Sequence, residues 1–136
     1  MNLTYKMLNK SKKILTEISA GELLDKISIL EIKLNNIKDK EKLIEINKEL
    51  KSLKETKKSN IETNENLPGL TNQLKEINLK LWNIEEEKRI CEKNQDFGKK
   101  FIQLSRNVYI NNDKRAKIKS DINKLLGSNI KEVKSY

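Results

Sequence analysis

Apolar side chains recur along this chain in a four-three rhythm, and that rhythm predicts helices. Leu23, Ile27, Leu30, Leu34 and Ile37 are spaced 4, 3, 4 and 3 apart, which places them on one helical seam. Ser19-Ala20-Gly21-Glu22 stands before them as a capping box, a Ser oxygen for an orphan amide and a Glu three positions on to reach back. The polar stretch Lys38-Asp39-Lys40-Glu41 breaks the phase, and Leu43, Ile46, Leu50 and Leu53 resume it in a second helix of similar length. Residues 54–66 carry one apolar side chain in thirteen. They read as a fraying helix end and a mobile loop, closed by Leu67-Pro68-Gly69.

The third helix keeps the pattern through Leu70, Leu74, Ile77, Leu81, Ile84, Lys88 and Cys91. A turn at Asn94-Gln95-Asp96 follows, with Asp96 placed to cap the fourth helix. That helix runs from Phe97 through Phe101, Leu104, Val108, Asn111, Arg115, Ile118, Ile122 and Leu125, and Gly127 stops it. Roughly 37 Å and 45 Å long at about 1.5 Å per residue, these two helices are forced antiparallel by the short turn. Pairing outward from the turn sets Ile84 opposite Val108, Leu81 opposite Asn111 and Ile77 opposite Arg115. Residues 13–18 and 129–134 read as extended ends able to pair in a minimal sheet.

The expected fold is therefore all-α and a single domain: two antiparallel helical hairpins, 20–58 and 70–126, packed together across a loop at 59–69. A tail at 1–13 and an extended C-terminus at 127–136 flank them. Composition supports this. Hydrophobic residues make up 35% of the 136 and charged residues 36%, so apolar surface is buried as stripes rather than as a thick interior. No signal-peptide run or membrane-length apolar stretch occurs, and the lone Cys91 has no partner for an internal disulfide. Both point to the cytoplasm and away from a membrane.

The chain contains no histidine, which argues against zinc sites and against His-based catalysis; no metal or cofactor is expected. The net charge of +9 is written as 26 Lys and three Arg, a vocabulary that codon drift in an AT-rich genome also produces. Residues 61–96 hold 5 basic against 8 acidic side chains, and residues 97–136 hold 10 against 3. Such a split suits packing of one segment on the other as well as binding of an external polyanion. Without aromatic platforms, nucleic-acid binding would be weak, non-specific and lost with salt.

Arg89, Arg106 and Arg115 are the three arginines, all within 27 residues. A planar guanidinium binds carboxylate or phosphate at two points, as Lys cannot, so the three are candidates for an anion site. The structural alternative for Arg89 is an ordinary helix-surface pair with Glu85, four residues earlier. Arg115, on the seam, must find a carboxylate; Asp113 beside it, Glu85 more than two turns away, and Asp25 or Glu31 of the first hairpin are the candidates, and a carboxylate of the first hairpin is expected. Asn111 and Arg115 interrupt that seam, either to set helix register or to line a polar pocket, unless Asn112 or Asp113 caps a new helix there. Trp82 lies off the seam, so helix three touches something besides helix four: the first hairpin, or else a ligand or partner. Glu85-Glu86-Glu87 cannot converge on one ion, because consecutive helical side chains point apart.

Four ordered blocks, ISAGELLDKISILEIK (18–33), LWNIEEEKRICE (81–92), DFGKKFIQLSRNVYINNDKRAKIKSDIN (96–123) and EVKSY (132–136), resemble a family of small uncharacterised helical proteins. The likeness is to a domain of unknown function seen in bacteria, marine lineages among them, and in some of their phages. Its members resemble passengers of cell-surface glycan biosynthesis loci. Within the matching blocks Trp82, Glu85, Arg89, Glu92, Arg106, Tyr109, Asn112, Asp113, Arg115 and Asn123 are the polar and aromatic positions singled out. The LLDKISILEIK spacing is also similar to the first helix of an all-α chorismate mutase. That chemistry needs an arginine there to hold a dicarboxylate, and residues 20–40 contain none.

Two functional readings follow, with non-specific nucleic-acid binding through residues 97–136 a distant third. The leading one is a helical interaction or scaffold module that self-associates or takes a protein partner. Its rival is a domain, binding or catalytic, that takes a phosphate- or carboxylate-bearing small molecule on the arginine cluster.

Overall fold

The computed structural model describes residues 12–135, and four helices account for most of them: α1 (Ala20–Asn36), α2 (Lys40–Asn60), α3 (Leu67–Lys93) and α4 (Lys99–Leu126). The fold is all-helical, two hairpins packed together, with no strand among the described residues. Most of the expected 1–13 tail lies outside the described residues.

Each helix begins and ends for local reasons. Ser19 Oγ accepts from the Glu22 amide at 3.1 Å, which starts α1. The reciprocal half of the expected capping box is not used, because the Glu22 carboxylate turns to the Lys119 ammonium at 2.8 Å instead. Asp39 Oδ1 accepts from the amides of Glu41 and Lys42 and starts α2. That helix runs on through 54–60, where the sequence suggested fraying. Its Lys and Glu side chains there are good helix formers that need no burial, and Thr56 and Asn60 donate back to Ser52 and Thr56 carbonyls. Leu67-Pro68-Gly69 opens α3 rather than closing the loop, since a proline in the first turn gives up an amide hydrogen that has no helical partner anyway. Asp96 does not cap α4: its Oδ1 accepts from the Gly98 amide at 3.2 Å, and the helix starts one residue later. Phe97 is consequently outside the helix, exposed, and edge-on to Phe101 at 5.4 Å between centroids. Helix α4 is unbroken through Asn111-Asn112-Asp113, and Gly127 ends it with φ 63°, a left-handed conformation suited to glycine.

Two separate cores hold these helices. The larger joins all four, with Leu23, Leu24, Ile27 and Leu30 of α1 meeting Ile46 and Leu50 of α2, Leu67 and Leu74 of α3, and Ile122 of α4. Helix α1 is the hub, packing on each of the other three, while α2 packs on α1 alone. The second core is small: Ile84, Cys91 and Leu104, with Phe101 and Val108 against them. All of these belong to α3 and α4, so the distal half of that hairpin is a two-helix arm.

Helix α1 crosses the hairpin obliquely. Its start lies against α4, where Gly21 donates its amide to Asn123 Oδ1 at 2.7 Å. A Cβ at Gly21 would sit 2.6 Å from the Lys119 carbonyl oxygen, so only glycine admits this approach. Farther along, Glu31 lies beside Lys75 of α3 at 3.5 Å. The two chain ends meet at the base through side chains rather than a sheet. Ala20 donates its amide to Ser128 Oγ, and Asn129 donates to Glu17.

Candidate functional site

Where α1 crosses, three helices bring their polar side chains to one point. Asp25 of α1, 1% exposed, accepts two hydrogen bonds from Arg115 of α4: Nε to Oδ1 at 3.0 Å and Nη2 to Oδ2 at 2.6 Å. Asn78 of α3 donates to Asp25 Oδ1 at 2.8 Å and to Ser28 Oγ at 3.3 Å. The carboxylate demanded by Arg115's seam position thus comes from the first hairpin, in the two-point geometry that Lys cannot supply. The hydrogen bond to Asp25 outweighs the cost of burial and raises the Arg115 pKa further, so this guanidinium stays charged. One helical turn on, Lys119 is buried, and its desolvation works against the charged form. Hydrogen bonds to Glu22 and Glu132 overcome that and hold its pKa above the ordinary value. The same Lys119 contact, with Lys134 second, lowers the pKa of Glu132.

A cleft of about 560 Å³ opens beside this network, just beyond the point where α1 leaves the hairpin. Ile29 and Ile32 of α1, Leu81 of α3 and Val108 of α4 give it an apolar lining. Trp82, Glu85, Glu86 and Arg89 line it from α3 beside Asn78, and Asn112 and Arg115 line it from α4. It is half open to solvent and combines apolar surface with a few polar groups. Trp82, Glu85, Arg89, Asn112 and Arg115 are therefore brought together. The Glu85–Arg89 pair is not formed within ion-pair distance among the described residues, which leaves a guanidinium and two carboxylates open on the cleft. Arg115 is different: its Nε and Nη2 are taken by Asp25, and Nη1 reaches Asn112 Oδ1 at 3.3 Å.

The remaining candidates lie elsewhere. Asn123 holds the Gly21 amide, a packing role. Glu92 is exposed near the arm's tip, and Arg106, Tyr109 and Asp113 are exposed on α4 outside the cleft. Asn111 is buried on the seam, donating to the Asn107 carbonyl at 2.7 Å, while its Oδ1 has no partner among the described residues. Sequence reasoning did not single out Asn78, Lys119 or the two isoleucines of α1. Asn78 and Lys119 each follow a seam isoleucine by one position, and only the oblique crossing of α1 turns that flank inward. Among the described residues no group of three acidic or thiol side chains is placed to hold a metal ion. None of the helices among these residues is long and apolar enough to cross a membrane.

The model of a family of unknown function (DUF6165) matches residues 14–136. The chain belongs to that family. No curated protein and no solved structure matches it. In this DUF6165 chain the cleft and its buried ion pair lie wholly within the family-matched residues.

Proposed function

We propose that the protein binds a compact carboxylate carrying hydroxyl or amino groups, in the cleft between α1, α3 and α4. The observation that carries this is the convergence of Trp82, Arg89 and Asn112 on one apolar-floored concavity beside a guanidinium already oriented by Asp25. Arg89 supplies a free fork for the carboxylate. The indole of Trp82 offers a flat apolar face to a ring, and Glu85, Glu86 and Asn112 accept from or donate to its polar substituents. Two carboxylates on the rim oppose a dianionic phosphate more than a single carboxylate. The features these residues supply are those of ligand recognition, and binding is the reading they support. The likeness to passengers of glycan loci in bacteria and their phages makes a sugar acid the first ligand to try. A cytoplasmic setting fits the unpaired Cys91, which is buried.

Trp82 is the sole tryptophan, so its emission reports on the cleft directly. Titration with a hexuronate should change that emission saturably, with an uncharged hexose and inorganic phosphate each binding about tenfold more weakly, a difference of roughly 1.4 kcal/mol. Arg89→Ala should abolish the preference for the hexuronate over the hexose. Flat emission with all three, into the millimolar range, would remove this reading.

A further inference from the structure

The outer face of α4 along the arm carries a second pattern, independent of the cleft. Ile102, Arg106, Tyr109 and Asp113 are spaced 4, 3 and 4 apart, which makes them one stripe of the helix. This stripe faces away from the seam with α3. All four are exposed, Ile102 and Tyr109 at 55% each, although isoleucine and tyrosine gain most from being covered. Neither Arg106 nor Asp113 has an ion-pair partner among the described residues, whereas Lys117 on the same helix is already held by Asp121 at 2.6 Å. The arm beneath has only the small two-helix core to stabilise it.

We infer that this stripe is an interface for a second copy of the same chain, with two α4 helices packed antiparallel about a two-fold axis beside Tyr109. The charge order selects that occupant. Arg106 lies three residues before Tyr109 and Asp113 four after it, so antiparallel packing about Tyr109 brings each Arg106 within reach of the other copy's Asp113. Arg106 and Asp113 are thus complementary across the axis, the self-pairing that an isologous contact requires. Tyr109 meets its counterpart at the centre, and the Lys117 stem of one copy covers Ile102 of the other. Four helices from two arms then replace two isolated pairs. The contact is one helical stripe wide, and a dissociation constant on the order of 10–100 µM is expected.

Sedimentation velocity of the full chain, from roughly 5 to 500 µM, tests this. The wild type should shift from monomer to dimer across that range. R106E alone and D113R alone should each stay monomeric, because each sets like charges against one another. Mixing the two single variants in equal amounts should restore dimer, and so should the double variant R106E/D113R. All three variants change exposed side chains only, and unaltered helical circular dichroism checks that each is folded. A wild type that remains monomeric throughout would overturn the proposal. So would single variants that dimerise as well as wild type, or a mixture that fails to recover.

Discussion

At the scale of single residues, the Asp25–Arg115 pair shows what helical spacing can and cannot determine. The seam register put Arg115 in an apolar interface, and an unpaired guanidinium there costs so much that a carboxylate was required. Both Asp25 and Glu31 stood on the first hairpin as candidates. Choosing between them needs the crossing angle of α1, which no residue of α1 encodes alone. The crossing puts Asp25 under Arg115 and leaves Glu31 to the exposed Lys54 and Lys75. Asp25 answers Arg115, Asn78 and Lys119 together, whereas Arg115 retains 27% exposure and a second partner in Asn112, so changing the two sides of the pair is unequal in effect. Asp25→Asn strands the guanidinium and disturbs Asn78, and is expected to cost about 3–5 kcal/mol. Arg115→Lys keeps the charge and loses one of two hydrogen bonds, at about 1–3 kcal/mol. Urea denaturation of both variants checks the order. Equal losses would mean that the fork geometry contributes nothing.

Elements proved legible where burial enforces a period, and less so at their ends. The α3–α4 hairpin follows from side chains that had to face one another, and its stop at Gly127 from the left-handed φ that glycine takes there. The end of α2 did not, because residues 54–60 form a solvated helical turn whose propensity, not whose pattern, keeps it helical. The extended ends read as able to pair in a minimal sheet; the C-terminal segment is tied by side chains instead, chiefly Glu132 on Lys119 at 3.0 Å. This tie has a pH window. The folded pKa of Glu132 is depressed, so its contribution is fully present above the ordinary carboxylate value of 4.5 and is lost as pH falls through the depressed value. Lys119 is raised, so its contribution is present below 10.5 and is lost as pH rises through the raised value. Amide NMR resonances of Lys131 to Lys134 should therefore move together on acidification below pH 4.5. The Glu132→Gln variant should show its segment released at neutral pH and no such acid step. Identical titrations in the two proteins would mean that the segment is held by something else.

For the whole molecule, the division into two cores matters more than the count of helices. Helix α1 has 17 residues and α4 has 28, so α1 and its partner α2 can cover only the base of the hairpin. Binary patterning made the second hairpin the longer but gave both the same kind of stripe, and so could not say which end of it the first would cover. The cleft lies at that step in coverage, and the arm lies beyond it. An arm stabilised by three buried side chains should open at a lower free energy than the base, whose core draws on four helices. Cys91 is the only thiol and is buried in the arm, so its reaction with a disulfide reagent under native conditions measures that opening. Labelling should proceed with an apparent opening energy well below that of global unfolding in urea. Leu104→Ala, a truncation inside the arm's core, should accelerate Cys91 labelling at least tenfold, as a loss of about 2–5 kcal/mol there implies. Leu74→Ala, in the base, should lower the global urea midpoint by a similar energy while changing Cys91 labelling little. If both variants accelerate labelling in proportion to their global destabilisation, the arm and base form one cooperative unit. The weak second core would then be no source of independent motion at the cleft.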